Sequence, residues 1–557
     1  MALPHSRDTD SETPRAPKIG KVIDLQGYLA AERALGQFLA ITPSHPQYQA
    51  RLSEVAGYGP SFLAVITRRL DAYRPDEIED LGRAATAFPD RDMAVTHLRK
   101  AADDRRNSDS RRLGAMLVLE YCLGEPPDED FVGTLHDPLA ALAYSLRGAL
   151  RCSFKSAISR AYVHTLLAQS SDLLFGIFSR LTSIERDTPS EVARLLALHP
   201  DLELSMAVVD ALAAQGSRSS VQTLALLETS LAPEVSHAAN RALQKLRLSG
   251  YSPRVLRSPV EGCRALVSPI DGSGNRLLML IAPASESGDT FAVLELFINE
   301  AVGVVEASGT PEVGQDDLPV VVRPGFVHKN SLRTWMGMPL GEDEQGVTRD
   351  AASAPAHVPL LEADFLYGLE VLREAVHNNW LTSAPLPLDY CLLSHLCWSY
   401  SGGLDEADFK SAWAGEDESH LVTREADLLI NPVFDSWYLS SESAMKVAQD
   451  ISTLSGGPPR ELTDDSWRFL LPALIRLAHD EFGPEVRQRY SERLRRMSEW
   501  LHMSSEAHDA ECARSAAQTI LKAPPETNLL VLRLVQRGIL VALNRLAADS
   551  RHHNQLH

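Results

Sequence analysis

The chain has 557 residues, of which 44% are hydrophobic and 23% charged, values that are ordinary for a soluble globular protein. Its length predicts about three or four domains. Its net charge of −20 excludes a surface that binds nucleic acid over its whole extent, because phosphate backbones are repelled on average. The sequence contains no run of about 18 uncharged apolar residues, so we expect no membrane span. The six scattered cysteines form no disulfide framework, so we expect a cytoplasmic protein.

The first part of the chain predicts a helical repeat array. Residues 1–20 are polar and contain prolines, which predicts a disordered tail. Within residues 21–250, a leucine recurs every 31 residues, at Leu119, Leu150, Leu181, Leu212 and Leu243. A small residue stands five positions before each leucine, at Gly114, Ser145, Gly176, Ala207 and Ala238. A small residue allows two helices to approach closely, and the leucine fills the groove between them.

A second helical run separates successive leucine-bearing helices. These runs are Ala157–Gln169, Ser190–His199 and Ser220–Ser230, and glycines and prolines punctuate them. Two short helices per copy predict a solenoid, in which each repeat buries its face against the next one. The side chains of successive second helices would then form a ladder on the concave face of residues 90–250.

Strands are predicted in the centre of the chain, within a domain at residues 251–340. Four runs rich in Val, Leu, Ile and Phe are separated by turn residues, at Arg264–Ile270, Arg276–Ala282, Thr290–Ile298 and Val302–Glu306. They predict an antiparallel meander. The turn Asp271–Asn275 contains Gly-x-Gly, but a strand follows it rather than a helix, so a hairpin turn is favoured over a phosphate cradle.

Helices are predicted again after the meander. An acidic linker at residues 341–357 precedes a helical domain at residues 358–547 and a tail at residues 548–557. The predicted fold is therefore mainly α, with an N-terminal HEAT-like α-solenoid, a small central antiparallel β-meander and a C-terminal all-helical domain.

Three segments carry a resemblance to a known class. RRLGAMLVLEYCLG, SMAVVDALAAQG and SHAANRALQKLRLSG resemble the second helices of short HEAT-like repeats, the kind named after phycobilisome lyases. With VSPIDGSGNRLLML, PLPLDY and RQRYSERLRRMSEWL following in order, the chain is similar to a bacterial HEAT-repeat family with no established activity. The resemblance implies an architecture and supplies no catalytic residues.

The residues that could support metal or acid–base chemistry have simpler interpretations. Cys391, His395 and Cys397 lie among leucines and tryptophan, which favours a buried core over a zinc site with too few ligands. The pair His508 and Cys512 is interpreted in the same way. His479 precedes a predicted helix end, where the helix dipole favours a histidine cation. We therefore assign no catalytic residue, no metal and no cofactor.

A basic helix provides the candidate binding residues, which are Arg487, Arg489, Arg493, Arg495 and Arg496. Such a cluster predicts contact with an anion or an acidic partner, although a solvated helix face is the alternative. A second basic stretch lies at Arg99–Arg112. The sequence favours a non-enzymatic scaffold that binds another protein through the solenoid surface, with no membrane partner and with nucleic acid disfavoured as a partner. The alternatives are a lyase-type accessory that handles a tetrapyrrole or other cofactor, a hydrolase or transferase with a site between the meander and the C-terminal helices, and a nucleic-acid role through the two arginine clusters.

Overall fold

A computed structural model describes most of the chain. The described residues are 25–41, 45–70, 75–126, 130–152, 156–184, 190–230, 233–251, 256–284, 288–318, 360–404, 425–455, 457–459 and 462–555. The predicted tail at 1–20 and the predicted linker at 341–357 lie outside them. The chain divides into two compact units, Met1–Leu166 and Leu167–His557.

The first unit is helical throughout its described part, apart from the connections. Its helices are α1 (Leu25–Leu39), α2 (Tyr48–Ala56), α3 (Pro60–Arg69), α4 (Pro75–Thr86), α5 (Arg91–Asp103), α6 (Asp109–Leu123), α7 (Pro138–Cys152) and α8 (Ala157–Leu167). Close packing follows from small residues, as the repeat predicts. A Cβ at Gly114 would lie 3.3 Å from the Cβ of Leu70, so glycine permits this close approach.

Local sequence determines where these helices start and stop. The side chain of Ser108 accepts a hydrogen bond from the Arg111 amide and caps α6, which ends at Gly124 in the left-handed conformation. The link from α6 to α7 contains a 3-10 turn, Val132–Thr134, in place of a second helix. The first copy of the predicted repeat has the same 31-residue length as the later ones, but the described part of its link contains a 3-10 turn where they have a helix.

The second unit begins with five repeat helices in two layers. They are α9 (Ser171–Ile184), α10 (Ser190–Ala197), α11 (Leu202–Gln215), α12 (Arg218–Ser230) and α13 (Pro233–Leu248). Helix α11 packs against both α9 and α13, and these three form one layer. Helices α10 and α12 form the other layer and pack against a later helix, α15 (Leu388–Trp398).

The repeat positions are buried as predicted. The five leucines lie on α6, α7, α9, α11 and α13, and none is more than 6% exposed. The residues four positions before them are fully buried, at Ala115, Leu146, Ile177, Val208 and Ala239. The helix pairs of each unit thus fit a solenoid, and the prediction of a mainly α fold is confirmed.

The central sheet has five antiparallel strands in the order β4-β3-β2-β1-β5. The strands are β1 (Arg264–Val267), β2 (Asn275–Pro283), β3 (Thr290–Asn299), β4 (Gly303–Gly314) and β5 (Leu361–Ala363). The four predicted strands are present. The sequence prediction missed β5, because three residues are too few to show an alternating pattern.

Two helices cover one face of the sheet. They are α14 (Phe365–Thr382) and α15, and Gly368 of α14 lies directly over Ala265 and Leu280. Asn379 of α14 binds the backbone of β4, because its side chain accepts from the Val304 amide at 2.7 Å and donates to the Val304 carbonyl at 3.0 Å. A Cβ at Gly303 would clash with this amide, and its φ of +106° also favours glycine.

The C-terminal helices pack around an aromatic core. They are α16 (Glu442–Leu454), α17 (Asp464–Glu481), α18 (Pro484–Met503), α19 (Ala507–Lys522) and α20 (Leu529–Gln555). The indoles of Trp437 and Trp500 donate hydrogen bonds to the carbonyls of Ile270 and Val267 and so join this core to the sheet. Helix α20 continues to Gln555, beyond the predicted end at residue 547. None of the described helices combines the length and the apolar character needed to cross a membrane.

Candidate functional site

The arginines of α18 are divided between internal and exposed positions. Arg493 is only 8% exposed, and its Nε donates to Oε1 of Glu300 at 2.6 Å. It also donates to the carbonyl of Gly272 and stacks over the ring of Tyr490, 5.0 Å from its centroid. Glu300 and Gly272 belong to neighbouring turns at the same end of the sheet. Arg493 therefore holds both turns against α18.

Two further arginines bind neighbouring helices. Arg496 donates to Glu374 of α14 at 2.5 Å, and Arg487 donates to the carbonyls of Leu521 and Ala523 at the end of α19. The remaining members of the cluster, Arg489 and Arg495, are exposed. Contact with an anion or partner stays a prediction for this cluster, and the structure places its five members in three different environments.

The cysteines and histidine of α15 are enclosed. Cys391 and Cys397 are buried, and burial raises the pKa of each thiol to about 12, so both are neutral thiols at physiological pH. Burial, and then the nearby guanidinium of Arg194, holds the pKa of His395 well below its usual range. No group of three or more His, Cys, Asp or Glu residues that could hold a metal ion occurs among the described residues.

The other candidates from the sequence lie on three further elements, and of these only Cys512 is a buried side chain. His479, at the end of α17, is largely exposed, and its Nδ1 lies 3.7 Å from a carboxylate oxygen of Glu526. His508 and Cys512 lie on α19 with Nε2 and Sγ 3.8 Å apart. The Gly-x-Gly segment forms the β1–β2 turn, where the Asp271 carboxylate accepts from the Ser273 and Asn275 amides. The hairpin interpretation of that segment is therefore confirmed.

A cavity of about 320 Å³ lies between α6 and α7 in the first unit. Arg147 and Arg151 of α7 line it one turn apart, and Ser110, in the first turn of α6, lies across from them. Tyr144, one turn before Arg147, is 46% exposed beside it. None of the eight lining residues is acidic. Ser110 belongs to the basic stretch at residues 99–112, and Leu113 follows it directly.

The floor of this cavity is connected to buried polar groups. Ser145 lines the cavity, and its hydroxyl is hydrogen-bonded to that of Tyr162 on α8. Burial raises the pKa of Tyr162, so its phenol stays protonated and can donate to Ser145. On the α6 side, Arg112 is buried and donates to the carbonyls of Ala102 and Thr134, which fixes the start of α6. The cavity walls are thus anchored from both sides.

The second unit has an exposed face on α9, α11 and α13. It consists of the residues nine, six and two positions before each repeated leucine. These positions are three and four residues apart, so they lie on one side of the helix. The nearest row to the helix starts is acidic and exposed, and it contains Asp172, Glu203 and Glu234. The next row contains Phe175, Met206 and His237, and the third contains Ser179, Asp210 and Arg241. We call these nine residues the repeat face.

The sequence analysis expected a ladder of side chains on successive repeats, but it did not name the residues that form it. Phe175 is 48% exposed, whereas Phe178, three residues later on the same helix, is 2% exposed. A hydrophobicity pattern treats the two rings alike. The 31-residue register separates them, since Phe175 occupies the position six before a repeated leucine.

No family model, curated protein or solved structure matches the chain. The likeness of its repeats to HEAT-like families therefore stays a prediction.

Proposed function

We propose that this chain is a cytoplasmic, non-enzymatic scaffold that holds a partner protein on the repeat face. The observation that carries the proposal is the regular exposure of one side of α9, α11 and α13. The other layer, α10 and α12, packs against α15. One layer therefore joins the repeats to the rest of the second unit, and the other presents side chains at a fixed spacing.

The middle row of the repeat face supplies apolar anchors. Phe175 is 48% exposed, and Met206 is partly exposed at the equivalent position of the next repeat. Exposed aromatic and methionine side chains are enriched at protein interfaces, where they bury a large apolar area. These two residues therefore form the centre of the proposed contact.

The acidic row indicates the chemistry of the partner. Asp172, Glu203 and Glu234 each lie in the first turn of a helix, where the dipole also favours a carboxylate. The three repeat in register on helices that pack side by side, so their charges add along one edge of the face. A basic segment with apolar side chains at helical spacing complements this arrangement.

Affinity purification with matched variants tests the proposal. The bait is the full chain, compared with a Phe175→Ser, Met206→Ser double variant and with Phe469→Ser as the control. Phe469 lies on α17 and is 79% exposed, so the control removes an exposed ring of the same type from another part of the chain. We expect the double variant to lose proteins that wild type and control both retain.

A defined probe makes the test quantitative. A synthetic amphipathic peptide of Leu and Lys should bind wild type and the control, and the double variant should bind it about ten-fold more weakly. The affinity should fall as salt rises, because the acidic row contributes by charge. Equal binding by the double variant, at an unchanged melting temperature, would remove the repeat face as the contact surface.

A further inference from the structure

We propose that the outer edge of β4 binds a basic peptide segment in the extended conformation, which adds to the central sheet as a further strand. The sheet ends in β4 on one side and in β5 on the other. Strand β5 has three residues, whereas β4 has 12. This contact goes beyond the scaffold role and shares no residue with the repeat face, so each can hold without the other.

The pairing of β2, β3 and β4 determines which backbone groups of β4 point outward. Neighbouring residues of a strand direct their amides and carbonyls to opposite sides. The groups of Val304 point away from β3, since the side chain of Asn379 binds both of them. Ile298, which lies opposite Val304, therefore bonds β2, as does Leu296 two residues earlier. Leu296 lies opposite Ala307, so the amide and carbonyl of Ala307 point outward.

The outward groups of β4 are closed at one position and open further along. Gly309 points outward like Ala307, since it continues the same register. No described residue hydrogen-bonds the outward amide or carbonyl of Ala307 or Gly309. Residues 307–311 are partly exposed. The edge is thus capped by Asn379 at Val304 and open from Ala307 onward, and an open edge is a template for an added strand.

The open stretch of β4 is short. Two register shifts in the pairing with β3 bound it, and residues 306–310 pair without interruption between them. Pro311 follows and has no amide to donate. Within this stretch the outward amides and carbonyls are those of Ala307 and Gly309, so the segment that pairs with them is short.

The charge around the open stretch selects a basic segment. Residues 303–318 contain four carboxylates and no lysine or arginine. Glu312, Asp316 and Asp317 are exposed at one end of the stretch. A second copy of β4 would bring like charges together, which disfavours pairing between copies of the chain. A strand that carries lysine or arginine complements these carboxylates.

Calorimetric titration of the full chain with a capped Lys-Val-Lys-Val-Lys-Val-Lys peptide tests the proposal, and this peptide should bind saturably. Two isomers carry N-methyl groups, one on its valine amides and the other on its lysine amides, and both keep the charge. Only one of these sets of amides faces β4 in an added strand. One isomer should therefore bind at least about ten-fold more weakly, and the other should bind like the unmodified peptide.

Hydrogen exchange locates the contact on the wild-type chain. The unmodified peptide should slow exchange of the Ala307 amide at least about ten-fold, whereas the Ser308 amide, which points at β3, should be unaffected. Ala307→Pro removes the outward amide, and proline is tolerated on an edge strand where the amide faces solvent. This variant should bind the peptide about ten-fold more weakly at a nearly unchanged melting temperature.

Charge variants distinguish the edge of β4 from general attraction to an acidic chain. Glu312→Gln with Asp316→Asn should weaken binding and reduce its dependence on salt. Asp450→Asn with Glu485→Gln neutralises two exposed carboxylates on α16 and α18, so net charge changes equally, and this control should bind like wild type.

Four results would overturn the proposal. The first is the absence of saturable binding of the unmodified peptide up to about 1 mM. The second is equal binding of the two N-methylated isomers, which would show attraction by charge without strand pairing. The third is an Ala307 amide that exchanges equally with and without the peptide, and the fourth is an equal loss of binding in the two charge variants. The isomers need only the wild-type chain, so they test strand pairing even if Ala307→Pro does not fold.

Discussion

Arginines are used differently on two helices of this chain, α18 and α7. On α18, Arg493 and Arg496 are matched by Glu300 and Glu374, which come from the sheet and from α14. On α7, Arg147 and Arg151 line a cavity whose eight lining residues include no carboxylate. The α18 set is the denser one in sequence, and the α7 set is the one beside an open space.

The difference shows what a cluster of charge does and does not indicate. An arginine that meets a carboxylate from another element is a packing residue, because its charge is already neutralised within the fold. An arginine that lines a cavity has part of its side chain beside open space, whatever its other contacts in the chain are. The deciding feature is the residue on the opposite wall, which comes from a distant part of the chain.

Among the charged and polar residues, Arg493 should have the largest effect on stability when it is replaced by methionine. The change leaves Glu300 buried without its cation and the Gly272 carbonyl without its donor. Removal of one partner of a buried ion pair destabilises a protein by about 3 kcal/mol or more. Urea denaturation, monitored by tryptophan fluorescence of the core that contains Trp437 and Trp500, would measure the change.

Arg489→Met is the control for that experiment. Arg489 lies four residues earlier on the same helix and is exposed, so its substitution should change the free energy of unfolding by less than about 0.5 kcal/mol. Similar losses for the two variants would show that α18 uses its arginines alike, and the contrast with α7 would then fail.

Asn379→Leu should have the next largest effect. Like Arg493 and Arg496, Asn379 joins a helix to another element, but it does so with a neutral side chain. Leucine has a similar volume but leaves the buried amide and carbonyl of Val304 without partners. Each unpaired buried group costs about 1–3 kcal/mol, so we expect a loss of about 2 kcal/mol or more. Faster hydrogen exchange at the Val304 amide would distinguish this cause from altered packing, and unchanged exchange there would contradict it.

The interface of α10 and α15 offers a test through pH. Burial, and then Arg194, holds the pKa of His395 well below the usual 6.5. Above pH 6.5 this histidine is neutral in both the folded and the unfolded chain. As pH falls further, the unfolded chain binds the proton and the folded chain does not, so stability falls by up to about 1.4 kcal/mol per pH unit.

His395→Leu should therefore flatten the dependence of stability between pH 6.5 and pH 5. Urea denaturation at pH 7 and pH 5 measures the difference for wild type and variant. His508→Leu, which removes an exposed histidine from α19, is the matched control for the loss of one imidazole. An equally steep loss in the His395 variant would show that other groups cause it.

Much of the fold could be predicted from local sequence. The 31-residue leucine register and the run of alternating strands depend on residues close together in the chain, and both predict elements that the structure contains. Strand β5 could not be predicted, because Leu361–Ala363 becomes a strand only by pairing with β1 about 100 residues earlier. The helix Glu442–Leu454 lies within the predicted helical domain, and its start at the capping residue Ser441 depends on local sequence alone.

The candidate sites were less predictable, for a physical reason. A ligand site depends on which residues face each other across an open space, and sequence spacing gives only one wall. The i, i+4 spacing of Arg147 and Arg151 can be read from the sequence, but the facing residues Ser110 and Leu113 of α6 cannot be placed from spacing alone. The carboxylates that neutralise Arg493 and Arg496 lie 193 and 122 residues away in sequence, so the α18 cluster appeared free for binding.

The smallest expected effect is that of Phe175→Ala on stability, and it tests the repeat register itself. Phe175 is 48% exposed and Phe178 is 2% exposed on the same helix, α9. Phe178→Ala should destabilise the chain by about 3–5 kcal/mol, since it opens a cavity in the core, whereas Phe175→Ala should change stability by less than about 0.5 kcal/mol. Urea denaturation of both variants measures the ratio. If Phe175→Ala destabilises the chain as much as Phe178→Ala, Phe175 is a packing residue. The repeat face would then resemble α18, where Arg493 and Arg496 bind carboxylates within the chain.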